Sequence, residues 1–158
     1  MYDWMHVIFV NGCFNHTVGL FMWHMRTTSF TYASVHSYLQ QWRWPHAARG
    51  ATGVDSFSSA RKDAQLKARV HKCDASEGRS ILPVLSHFVS RAIVDRPDAL
   101  PQHKELAAPI IRMAAIVQEL EAAQRGACDP DRLQRHSNGF METFVRLLNI
   151  FLCKRMGR

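Results

Sequence analysis

The feature that most constrains this chain is a set of apolar repeats at steps of three and four, each bounded by residues that start or stop helices. Ile81, Leu85, Phe88 and Ala92 repeat at helical spacing after Asp74 and Glu77, which stand three apart as a capping box does. Leu106, Ile110, Met113, Val117 and Leu120 form a second stripe, closed by Gly126. Asp129 and Pro130 open a third helix as cap and first residue, and Phe140, Phe144, Leu147 and Phe151 carry it on. Pro83 is expected early in the first of these helices, where a missing donor costs least. Pro109 predicts a kink in the second, or a start just before it. No series of strands is evident. Stripes of this kind are core-facing surfaces, and together they predict a small antiparallel helical bundle.

The N-terminal third is richer in aromatic residues. From about Met5 to Arg26 runs an apolar block ending in Thr27, Thr28 and Ser29. A second block, Phe30 to Trp44, stops at Pro45. Asn11, Asn15, His16 and His24 interrupt the first block, which makes it a poor membrane span and a natural buried helix. Asp3 stands where a signal peptide would be positive, so no secretory leader is read here. Residues 46–59 hold Gly50, Gly53 and small polar residues and read as a linker. The expected organisation is therefore 1–45 as an aromatic-rich helical segment, 46–59 as linker, and 60–158 as a basic stretch followed by the bundle.

With 158 residues, the chain suits one domain with a real core. Its 47% apolar and 21% charged residues exclude wholesale disorder. Cys13, Cys73, Cys128 and Cys153 are too scattered for a zinc knuckle, a redox motif or a secreted disulfide framework, so free thiols in an intracellular (nuclear or cytoplasmic) compartment are expected. His71 and Cys73 have the spacing of half a metal site, but no second pair follows.

Net charge is +7, which favours partners carrying phosphates or acidic surfaces. The basic residues crowd between Arg61 and Lys72. If that stretch is helical throughout, Arg61, Gln65, Arg69 and Lys72 share one side with Lys62 and Lys67 nearby, and the face could follow a phosphate backbone. Arg61, Lys62, Arg69 and Lys72 are the candidate nucleic-acid contacts. There is no Gly-rich phosphate loop, nucleophile elbow or paired-histidine metal helix. The one acid with a suggestive neighbour is Asp3, three residues before His6. On the start of a helix the two share a face and could converge on a metal or phosphate, although Asp3 is equally a good helix cap.

The segment Asp3-Trp4-Met5-His6, followed by the apolar run Val7 to Leu20, resembles the Asp-x-Met-His segment of CACTA-type DDE transposases. Trp44-Pro45 and the stretch from His71 to Gly78 are also similar to transposon-derived proteins of this sort. The resemblance implies a ribonuclease-H-like parent fold whose acidic residues hold two Mg2+ ions for DNA cleavage and strand joining. It implies that Asp3 is the second catalytic, metal-binding carboxylate and His6 its companion. Two-metal phosphoryl transfer needs three carboxylates brought together. The strands and first acid of the family pattern would precede Asp3. Glu119, Glu121 and Glu142 are candidates for the last acid by charge alone.

The expected fold class is thus mainly α: a helical bundle that corresponds to the helical insertion of such a transposase, without its N-terminal sheet. The expected function is that of a fragment, inactive alone, with DNA as partner, no membrane, and oligomerisation open. Two other readings stand beside it. One is a non-catalytic nucleic-acid-binding helical module, whose binding needs neither Asp3 nor metal. The other is a helical protein-interaction domain that docks through its tryptophan-rich third.

Overall fold

In the computed structural model the described residues are 4–10, 12–28, 30–45 and 52–156; of His6 and of 150–156 only the backbone is described. The chain is mainly helical, in the order α1 (Trp4–Phe9), α2 (Cys13–Met25), α3 (Tyr32–Gln41), a 3-10 turn (Val54–Phe57), α4 (Ser59–Ala68), α5 (Ala75–Val89) running into a π-turn (Ser90–Val94), α6 (Pro101–Gln124) and α7 (Pro130–Met156). No strand occurs among the described residues.

Most of the predicted boundaries have the predicted chemistry. Asp74 caps α5 by accepting from the Glu77 amide at 2.8 Å, while the Glu77 carboxylate accepts from the Asp74 amide at 3.0 Å. Gly126, at φ +72°, closes α6: the Gly126 amide donates to the Ala123 carbonyl and the Ala127 amide to that of Ala122, the paired bonds of a Schellman end. Asp129 caps α7, its carboxylate accepting from the Arg132 amide at 3.1 Å. The long pair α6 and α7 pack along each other, and α6 also meets α2 and α5. The stripe Leu106, Ile110, Met113 and Val117 is buried between them.

Other elements differ from expectation for local reasons. The first apolar block is two helices. A side chain on Gly12 would collide with the carbonyls of Val7 and Ile8, so the chain turns tightly there. Asn15, from α2, then donates its amide to the Phe9 carbonyl at 2.8 Å and satisfies the end of α1. α6 begins eight residues before Pro109, because Leu100 is extended and Pro101 serves as first helical residue; Pro109 is accommodated inside the helix. Pro83 likewise lies in the second half of α5, on its exposed side. Of the stretch read as a linker, 46–51 lie outside the described residues. Phe57, in its later part, is wholly buried against Tyr32 and His71.

One core holds the chain together. It runs from Phe9, Phe14 and Phe21 through Leu39 and Phe57 to Ile81, Leu85, Ile110 and Leu147, so the aromatic-rich third and the later helices bury their apolar faces on each other. Burial of each large side chain of this kind contributes about 1.5–3 kcal/mol.

Candidate nucleic-acid interface

The basic stretch is not one helical face. α4 ends at Ala68, and Arg69 takes the left-handed conformation that stops it, with φ 57°. The chain then runs extended through Val70 to Asp74 before α5 begins. Gln65, expected beside Arg61 on the basic side, is buried, whereas Arg61, Lys62, Lys67 and Lys72 are exposed.

Polar side chains inside the fold fix this crossing. The Gln65 amide nitrogen donates to the Ser56 carbonyl at 2.9 Å, which leaves its oxygen to accept from His71 Nδ1 at 2.7 Å and from the Tyr32 hydroxyl at 3.3 Å. The same bonds assign the His71 proton to Nδ1. His71 is fully buried, stacks on Phe57 at 4.4 Å, and presents its edge to Phe14. Burial, with the nearby Arg61 guanidinium second, pushes its pKa down to about 3, so the ring is neutral. Its amide donates to the Asn15 carbonyl at 2.8 Å. Cys73 donates to the Asn15 side-chain oxygen at 3.3 Å, and burial raises its thiol pKa to about 12. His71 and Cys73 are thus structural bolts. Among the described residues no group of three His, Cys, Asp or Glu side chains is placed to hold a metal ion.

Gly19 allows the extended segment to pass directly over α2. A Cβ there would meet the Arg69 carbonyl oxygen at 2.5 Å and the His71 amide nitrogen at 2.6 Å. This approach carries Arg69 onto Trp23, one turn further along α2, with its guanidinium 4.4 Å from the ring centroid. Arg26 lies over the same ring at 4.0 Å. Two cations on one indole concentrate positive charge, and each such contact contributes about 0.5–1 kcal/mol at an exposed site. The end of α2, the start of α3 and α4 also bound a cleft of about 390 Å3, lined by Arg26 and Lys62 and floored by Met22, Phe30 and Leu66.

Of the candidate contacts, Lys62 and Arg69 join this surface directly. Arg61 stands at the other flank of α4, near His71 and Cys73, and Lys72 projects from the extended segment. Arg26 and Trp23 are the additions that sequence alone does not supply. They are far from Arg69 in the chain, and only the tight crossing at Gly19 brings them together.

Asp3 lies outside the described residues, as does the side chain of His6. The acids considered as further metal ligands are used otherwise or stand apart. Glu119 is nearly buried and accepts from Arg132 at 3.1 Å, Glu121 pairs with Arg79 at 2.8 Å, and Glu142 is exposed on α7. No described helix is long and apolar enough to cross a membrane. Neither a family model, a curated protein nor a solved structure matches this chain.

Proposed function

We propose that this chain binds DNA through the surface where Arg26 and Arg69 meet Trp23 beside Lys62, with Arg61 and Lys72 as flanking phosphate contacts, as a helical part of a CACTA-like DDE transposase. The observation that carries the binding is the convergence of Arg26 and Arg69 on Trp23 beside exposed Lys62. Five basic side chains between residues 59 and 72 stand against one acid, Asp63. Such a surface gains affinity by releasing counterions from phosphates, with no demand on sequence. The transposase part rests on the resemblance of Asp3-Trp4-Met5-His6, and in it Asp3 is one of three Mg2+-holding carboxylates. DNA cleavage and strand transfer belong to the complete set of three acids.

The test of binding is fluorescence anisotropy with a labelled DNA across a salt series. Changing Arg61, Lys62, Arg69 and Lys72 together to Ala should weaken binding and make the plot of log K against log salt shallower, by about 0.9 for each lost phosphate contact. An unchanged slope refutes the assignment. The transposase part is tested by reading the transcript on either side of this coding stretch: strand-forming segments bearing further acids support it, and their lack refutes it.

A second reading, a protein-docking domain, is favoured by one observation. Trp42, Trp44, Pro45, Pro83 and Val84 line a groove of about 470 Å3 on the far side of α5. It predicts that Trp42→Ala abolishes a protein contact and leaves DNA affinity untouched.

A further inference from the structure

The cleft beside the basic surface holds more than positive charge. Its deeper lining is apolar, with Leu66 half-buried and Met22 and Phe30 reaching it from the core, and Arg26 and Lys62 border it. Within the same lining stands Asp63, the one acid of its stretch, one residue from Lys62 on α4. Its carboxylate makes no hydrogen bond or ion pair with any described residue, although two cations line the same cleft. Thr27, also in the lining, is exposed and likewise unbonded. A volume of about 390 Å3 is in the range of small-ligand sites, roughly 300–1,000 Å3.

A ligand that suits these groups has apolar faces, an edge rich in donors and an attached anion. An unstacked nucleotide has all three. Among the bases, guanine alone presents two adjacent donors, N1–H and the N2 amine, to a carboxylate that can only accept. Adenine and cytosine each offer an amine beside a ring acceptor. Thymine offers its one N–H between two carbonyls, which would face the carboxylate with like charge.

We propose that this cleft takes a guanine base from single-stranded DNA. The Asp63 carboxylate accepts from guanine N1–H and N2–H, the apolar floor covers the base, and Arg26 and Lys62 hold the flanking phosphates. The inference rests on the DNA-binding reading above and deepens it. It assigns a base preference to a surface that otherwise reads only backbone. Extruding a base is cheapest from a single strand, so the site prefers one to a duplex.

The experiment uses the whole chain and fluorescence anisotropy with four labelled deoxythymidine decamers whose central residue is dT, dA, dG or deoxyinosine, together with a duplex of mixed sequence. The dG decamer should bind about tenfold more tightly than the dT decamer, the scale of one good bidentate base contact. Deoxyinosine, which lacks the N2 amine, should fall between them. Asp63→Asn should abolish the preference, the dG and dT decamers becoming equal in affinity, while loss of the negative charge tightens the dT decamer and the duplex by a similar small factor. Lys62→Ala should weaken every decamer by a similar factor. Equal affinities for dG and dT, or a preference that survives in Asp63→Asn, overturn the guanine site. In that case salt-dependent binding of the duplex keeps the broader DNA reading alive. Failure of every DNA to bind at low salt overturns both.

Discussion

Gly19 offers a direct test of how the fold positions the basic surface. On helix propensity alone, Gly19→Ala inside α2 should stabilise the protein by about 1 kcal/mol. The structure reverses that sign. The new methyl group would press on backbone, against Val70 Cα, the Arg69 carbonyl and the His71 amide, and backbone cannot turn aside as a flexible side chain can. Forcing an extra group into such a contact costs about 1–3 kcal/mol. Moving the segment away stretches the 2.8 Å bond from the His71 amide to the Asn15 carbonyl and leaves two buried groups unpaired, at about 1–3 kcal/mol more. The net expectation is a destabilisation of about 1–5 kcal/mol after the gain in propensity. Urea unfolding followed by far-ultraviolet circular dichroism measures it. The same variant should lift Arg69 from Trp23 and weaken DNA binding at a urea-free temperature well below unfolding. A variant as stable as the parent, or more stable, would show that the crossing of α2 by residues 69–71 is not as close as described.

Three further outcomes follow from the same geometry. His71 has a pKa of about 3 when folded, against an ordinary value of 6.5, so the unfolded chain takes up its proton first as pH falls. Its contribution is complete above pH 6.5 and declines toward pH 3 by about 1.4 kcal/mol per unit; urea midpoints at pH 7, 6 and 5 should show this, and His71→Gln should flatten that part of the profile. Asp74→Ala removes the cap of α5 and should cost about 1 kcal/mol, with no effect on the salt dependence of DNA binding; the carboxyl of Asp74 is held below the usual range by the Glu77 amide, so its stabilisation, too, is present near neutral pH and lost as pH falls through the folded pKa. Arg132→Ala leaves the carboxylate of Glu119 largely buried without the bond it accepts at 3.1 Å and should lower the urea midpoint, whereas Arg96→Ala, whose pair with Asp98 is fully exposed, should leave it unmoved.

The sequence displays the later helices well because their signals are local. A cap, a stripe and a glycine stop each act within a few residues, as at Asp74, at Leu106 to Val117 and at Gly126. The breaks that depend on which polar side chains turn inward are hidden. Spacing around Gly12 does not show that the Asn15 side chain will fold back to close α1, and nothing in the pattern around Gln65 shows that it will turn inward to meet Ser56, Tyr32 and His71. A helix wheel treats glutamine as a surface residue, and burial with all its polar atoms satisfied is the case that wheel cannot register. For the candidate site, Lys62 and Arg69 are legible as charge, but Arg26 and Trp23 become part of it only through a tertiary crossing.

That crossing ties interior to surface. Asn15 uses its backbone carbonyl for His71, its side-chain oxygen for Cys73 and its amide for Phe9, so three segments converge on one residue of α2. Four residues along, Gly19 sets the depth at which residues 69–71 lie, and four further, Trp23 receives Arg69. These positions step by four along one side of α2, each doing a different task in holding the same extended segment. A neutral His71 is therefore a condition of the basic surface as well as of the core. Protonating a ring whose Nε2 has no partner among the described residues would loosen the segment that carries Arg69 and Lys72. The surface charge and the buried polar network are two ends of one structural device, which is why the residues that place the arginine are themselves uncharged.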